Sequence, residues 1–130
     1  MEDLTINKQE NDLTRADVIK LIAVATQPLN LKGINLSGVN LSKLDLSGAN
    51  LYRADLTGAV LIGAILSGAN LSSIDLSGAN LSYADLIGAN LHLADLSGAD
   101  LTKANLTGAL FIGAELTGAN LTDVIGYKPE

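Results

Sequence analysis

The sequence has no cysteine and no tryptophan, and only one phenylalanine, one histidine and two prolines in 130 residues. Without cysteine there is no disulfide framework, no thiol nucleophile and no thiolate metal site. Aromatic residues make up 3% of the chain and charged residues 17%, so aromatic packing does not fill its core and its surface is poor in charge. Eight basic side chains against 14 acidic ones leave a net charge of -6. That balance argues against direct binding to nucleic acid or to an anionic membrane, which needs surplus Lys and Arg. The longest apolar run, Leu21 to Ala25, is far too short to span a bilayer, and the polar opening Met1 to Asn11 lacks the apolar core of a signal peptide. The cytoplasm is the expected location. At 48% hydrophobic the chain is still too apolar for a disordered acidic tail, and its length is that of one domain.

What the sequence does contain is a five-residue period, starting at Leu29 and running without insertion to Asp123, nineteen units in all. The third position is Leu in every unit but one, where it is Phe111. The first is Ala except at Leu29, Ile34, Val39, Leu44 and Ile74. The second is mostly Asn or Asp, the fourth mostly Ser or Thr, and the fifth is Gly in twelve units. A period of five fits neither the 3.6 of a helix nor the 2 of a long strand, so the chain must turn once per unit. Positions one and three lie two apart and face inward together, while positions two and four face out. Four such segments close a square, with coils stacked about 4.8 Å apart.

The string A(N/D)L(S/T)G, kept over nearly three-quarters of the chain, resembles the pentapeptide repeat proteins. The resemblance implies an all-β fold, a right-handed quadrilateral β-helix, in agreement with the usual hand of parallel crossovers. Nineteen units make this a β-solenoid of about five coils. Many members occur in cyanobacteria without an assigned activity. Some others bind DNA gyrase as acidic look-alikes of DNA and confer quinolone resistance. The present chain departs from that branch in its short rod, its Leu where Phe is frequent there, and its lack of a C-terminal dimerisation helix.

Folding the sequence at twenty residues assigns the units to four faces, centred on Leu31, Leu36, Leu41 and Leu46 and their successors. Corners after faces two and four are Gly throughout, whereas the others also hold Lys43, Arg53, Ser73, Tyr83, Leu93, Lys103 and Asp123. Two kinds of corner are therefore expected, the all-Gly pair being the one more in need of positive φ, unless Gly is there only for its small size. Ahead of the repeat, Thr14-Arg15-Ala16-Asp17 reads as a capping box opening a helix over residues 15 to 26, stopped by Pro28. This N-terminal α-helical cap should lie over the first coil and cover its strand edges. The expected organisation is a polar segment and capping helix at 1–28, the solenoid at 29–123 and a tail at 124–130, too short for a comparable cap.

Chemistry is hard to find in this lattice. The lone His92 lies beneath Ile112, above Ser72 and beside Asn90, with no carboxylate to orient it, and reads as an ordinary surface residue. No catalytic, cofactor-binding or metal site is expected. On face two, Asp55, Asp75, Asp95 and Glu115 form an acidic column that could mimic a row of phosphates or hold cations, or be a solvated position shared by Asp and Asn. Calcium repeats space their ligands differently. The hydroxyl column beside it invites an ice-binding reading, against which stand the adjacent acids and the scarcity of threonine. More telling are apolar residues at outward positions: Val60, Ile62, Ile65, Tyr83 and Ile87 around the corner between faces three and four, and Leu93, Leu110 and Ile112 near the end. The chain is thus expected to be a rigid module that binds a protein partner without catalysis or cofactor. An open last coil could also pair end to end with a second copy.

Overall fold

The computed structural model describes residues 13–128; the polar opening segment read for a leader lies outside them. One helix, α1 (Arg15–Val24), precedes the repeat. From residue 30 onward, parallel bridges join each position-two residue to the one twenty residues later, from Asn30 with Asn50 to Asn105 with Ile125. Four columns result, running Asn30 to Leu110, Asn35 to Glu115, Asn40 to Asn120 and Asp45 to Ile125. They are the four faces of the twenty-residue reading. No side is a strand of ordinary length, because a turn breaks the extended backbone on either side of every bridging residue.

The unit Ala79–Tyr83 shows how the backbone is satisfied. Ala79 N–H closes a turn onto the Leu76 carbonyl (3.0 Å). Asn80 N–H donates to Ala59 in the preceding coil (2.9 Å), while Leu81 and Tyr83 donate to Asp100 and Thr102 in the next (2.6 and 2.9 Å). Four of five N–H groups are thereby used, three of them between coils. The pattern recurs from unit to unit, so coils stack only in register.

Every corner takes one backbone conformation, which corrects the expectation of two kinds. Position five has φ between 66° and 75° at its glycines, and between 55° and 63° at Lys43, Arg53, Ser73, Tyr83, Leu93, Lys103 and Asp123. The turn bond from position one to the preceding position three demands it, since positive φ at the third residue of a four-residue turn is the type II requirement. Side chains are tolerated there because the corner points into solvent; a Cβ built on Gly78 would meet nothing within 4 Å. Each non-glycine corner costs about 1–2 kcal/mol of local strain, which the intercoil ladder offsets.

Inside, Leu at position three and Ala at position one are completely buried from Ala49 to Leu106. A large and a small residue alternate around each coil, so successive layers interdigitate without aromatic rings. At the N-terminal end, Thr14 caps α1: its hydroxyl accepts from Asp17 N–H (3.2 Å) and the Asp17 carboxylate accepts from Thr14 N–H (2.9 Å). Val18 and Leu13 are buried, and Leu21, Ile22 and Ala25 pack against the core. Arg15 Nη1 donates to the Asn40 carbonyl (3.1 Å), one of the groups at the open edge of the first coil. The helix ends at Val24, two residues earlier than read, because Ala25 has already turned extended (φ -71°, ψ 132°).

Not every outward position is exposed. Ser82, between Ile62 and Thr102 in its column, is 8% exposed and its hydroxyl folds back on Asn80 Oδ1 (2.7 Å). Leu81→Ala should therefore cost about 2–5 kcal/mol through the cavity it leaves, and Ser82→Ala about 1 kcal/mol through the lost hydrogen bond. Denaturant melts of the two variants check this; equal losses would contradict the inward and outward assignment.

Candidate interaction surface

The fifth N–H, at position four, is satisfied from the side in most units. In all fifteen units with Asn or Asp at position two, its Oδ1 accepts from that N–H, at 2.9 to 3.3 Å. This is an Asx turn, and either side chain builds it because each carries an oxygen at the same reach. Position-four hydroxyls add a second donor to that oxygen, as Thr57 does to Asp55 (2.6 Å) and Ser77 to Asp75 (2.6 Å). Nothing in the residue count reveals the role, although Asx followed two residues later by Ser or Thr is its local signature.

The acidic column changes meaning accordingly. Asp55, Asp75, Asp95 and Glu115 are bridged in succession, as the spacing requires. Each Asp carboxylate, however, turns one oxygen to its own turn. Asp75 is held below the usual carboxylate range, foremost by the Ser77 hydroxyl, with the Ser77 amide and Thr57 hydroxyl adding to it and partial burial opposing. Asp45 and Asp100, on other faces, are lowered in the same way by Ser47 and Thr102, hydroxyl first and amide second. Glu115 makes no such bond, being one methylene longer. Among the described residues no group of three or more His, Asp or Glu is arranged to hold a metal ion.

The four units lacking Asx are Val60, Ile65, Leu110 and Glu115, and three of them lie in the two apolar groups. Around the corner of faces three and four, Ile62, Ile65, Tyr83 and Ile87 are exposed and Val60 half-buried. Ile65 bridges Asp45 and Asp85, and Val60 bridges Asn40 and Asn80, which puts Ile62 and Ile65 on either side of the Gly63 corner. Two residues missed in sequence flank this patch. Lys43 and Lys103 belong to the same corner column as Gly63 and Tyr83, with Lys103 Nζ 5.5 Å from the Tyr83 ring centroid. The twenty-residue spacing 43, 63, 83, 103 was the available signal.

His92 is not an ordinary surface residue. Leu110 cannot cap its own turn, and the Ile112 N–H donates instead to His92 Nδ1 in the preceding coil (3.0 Å). That bond assigns Nδ1 as acceptor, so the neutral ring carries its proton on Nε2. Beside it, Leu93, Leu110 and Ile112 are exposed. A groove of about 320 Å³ between the end of α1 and the first coil, lined by Ile22, Pro28, Asp45 and Ser47, is open to solvent and holds no convergent polar set.

A ladder of five-residue sides, coiled at twenty residues, defines a β-solenoid repeat protein. The family model for pentapeptide repeats (8 copies) matches residues 29–58, 54–92 and 89–125, and the chain belongs to that family. Rfr23, a pentapeptide repeat protein from the cyanobacterium Cyanothece 51142, is similar at 36% identity over 78% of this chain and 86% of its own, with a TM-score of 0.69. The pentapeptide repeat protein alr5209 from Nostoc is 31% identical over 86% of this chain and 98% of its own (TM-score 0.47). One from the Arabidopsis thaliana thylakoid lumen is 38% identical over 76% of this chain and 69% of its own (TM-score 0.42). A search of the curated proteins finds no match. The solved relatives imply a right-handed quadrilateral β-helix, and no catalytic family is indicated. No helix among the described residues is long and apolar enough to cross a membrane.

The Asx bonds make an acid-sensitive term. Carboxylates lowered in the folded chain add stability above the ordinary value near about 3.9, and lose it as the pH falls through their folded values. An Asp45→Asn, Asp75→Asn, Asp100→Asn variant keeps the Oδ1 acceptors, so its melting temperature should match the parent at pH 7 and fall less below pH about 4. Identical acid limbs in the two proteins would refute it. Separately, His92→Ala should cost about 0.5–1.5 kcal/mol, most of it recovered by adding Leu110→Asn, which restores a local cap. Strictly additive effects in that double-mutant cycle would show that the imidazole does not serve the Ile112 amide.

Proposed function

We propose that this chain is a non-catalytic, cofactor-free interaction module that binds a protein partner in the cytoplasm through the Val60, Ile62, Ile65, Tyr83 and Ile87 patch. In this reading α1 caps a stack of about five coils, residues 29–123 form the rigid body, and 1–28 and 124–130 are its appendages. One observation carries the proposal. Val60 and Ile65 give up the turn-capping oxygen that fifteen other units keep, and they do so side by side, where Ile62 and Ile87 add exposed apolar surface. A purely structural lattice gains nothing from that exchange, since restoring the cap needs only Asn or Asp. Sites that forgo local stability for a surface of another kind are characteristic of binding. Lys43 and Lys103 at its rim suit a partner that sets acidic groups around an apolar contact. The acidic column is not the basis of this reading, because its Asp carboxylates are already engaged with their own turns.

A Val60→Asn, Ile65→Asn variant separates binding from folding. Each substitution restores a cap and should add about 0.5–1.5 kcal/mol of stability, while the variant loses the protein that the parent retains in affinity capture from native lysate. Capture of the same protein by both, with the variant folded, would remove the patch from the function.

A further inference from the structure

Face one differs from the other three in charge. Residues 29–123 hold eight carboxylates, and none of them lies on face one or at either of its corners. The face carries instead Lys32 and, at its corner, Arg53, two of the four cations of the repeat. Nothing in the lattice requires this. Asn and Asp cap the turn alike, yet face one has Asn at all four of its capped units, Asn30, Asn50, Asn70 and Asn90. Face two has Asp at three of its four, Asp55, Asp75 and Asp95. A choice that the turn leaves open is made face by face, and so answers to something outside the fold.

The face is also graded along the solenoid axis. Toward α1, Lys32 Nζ and Arg53 Cζ stand 5.7 and 5.2 Å from the centroid of the half-buried Tyr52 ring. Both cations are exposed, and neither makes an ion pair among the described residues. One ring thus gathers two positive charges without a counter-charge. Toward the last coil the same face exposes Leu93, Leu110 and Ile112. Ser72, Ser73 and His92 lie between the two ends, and the Ile112 amide takes His92 Nδ1, which leaves Nε2–H as the ring's donor. Lys32 and Ile112 are four coils apart in one column, about 19 Å at the usual strand spacing.

We propose that face one binds a linear protein segment lying along the solenoid axis, its acidic residues on Lys32 and Arg53 and its apolar residues on Leu93, Leu110 and Ile112. About six residues of extended chain span that distance, at about 3.3 Å each. The acidic end gains charge-assisted hydrogen bonds from the guanidinium and the ammonium. Tyr52, held between the cations, supplies rigid contact area of the kind that carries binding energy. A broad anionic partner fits poorly. Nucleic acid or an anionic bilayer would overhang the strip and bring its phosphates up to the Asp column of face two, with only two cations to hold it. The strip is distinct from the Val60, Ile62, Ile65, Tyr83 and Ile87 patch, which lies around the far corner of face four, so losing one surface leaves the other in place.

Fluorescence anisotropy tests this with the full chain and a fluorescein-labelled peptide, Asp-Glu-Asp-Ser-Leu-Ile-Leu. A second peptide, Asp-Leu-Glu-Ile-Asp-Leu-Ser, has the same composition with the acidic and apolar residues interleaved. The parent should bind the first with a Kd below about 100 μM and the second at least about fivefold more weakly. Lys32→Glu, Arg53→Glu and Ile112→Lys should each weaken the first peptide at least about fivefold while keeping the parent's circular dichroism. Ile87→Lys, on the other apolar patch, should bind it as the parent does. A parent that shows no saturation up to about 1 mM overturns the proposal. Equal affinity for the two peptides overturns the two-ended arrangement. Binding lost in Ile87→Lys and kept in Arg53→Glu would put the segment on the other patch, and cosedimentation with phosphatidylserine vesicles in place of peptide binding would make the face a lipid contact; either result overturns the assignment.

Discussion

A coil made of five-residue sides has to find partners for five N–H groups in every unit, with no helix and no long strand to supply them. Three are taken by neighbouring coils and one by the turn, and the last is met by an Asn or Asp oxygen two residues back. Once that accounting holds, little else is free. The coil length is twenty because any other number would misalign the intercoil bonds. The interior accepts two side chains per face, and their sizes are set by the distance between opposing walls. The corners must take positive φ whatever residue is there, which is why Tyr83 and Leu93 share a conformation with Gly78.

The same accounting gives a measure of what is not structural. In an ordinary globular domain an exposed Ile has many innocent explanations. In this lattice a departure at position two removes an identifiable hydrogen bond, so each one stands out against fifteen units that obey. Two departures lie together at the corner of faces three and four. A third, at Leu110, is repaired by His92 from the coil before, and the repair leaves an apolar face beside Leu93 and Ile112. Glu115 is the fourth, in the same final coil. The departures therefore gather at two surfaces, one on the flank of the solenoid and one at its terminus.

Much of this was legible in the residues because a strict period carries its own geometry. Leu and Ala at positions three and one could only face inward, and the twenty-residue grouping placed Ile62, Ile65, Tyr83 and Ile87 on adjoining faces before any coordinates. The capping box of α1 was equally plain, since Thr14 and Asp17 are a local pair. What escaped was whatever depends on hydrogen bonds rather than on sidedness. Lys43, Arg53 and Ser73 conceal a left-handed corner because their identities give no hint of it. The Asn and Asp side chains looked like surface polarity and an acidic stripe, though each is a piece of its turn. His92 could not be understood from its neighbours in sequence, because its partner is twenty residues away and is needed only because Leu110 fails to cap. Ser82 was assigned to solvent by its position and is buried by its neighbours in the column.

The unbroken register between residues 29 and 123 also bears on how such a chain can change over time. Deleting one five-residue unit would leave every local turn intact and every Leu pointing inward, so the fold itself would tolerate it. Yet every residue downstream would move a quarter-turn around the axis. A deletion between Ile65 and Tyr83 would carry Tyr83 and Ile87 off the corner column of Ile62 and Ile65, and surfaces assembled from coils on either side of such a deletion would be scattered. Loss or duplication of a whole coil of twenty rotates nothing. A lineage that keeps its surfaces while its length drifts should therefore lengthen or shorten in steps of twenty, with steps of five confined to copies whose flanks have no partner.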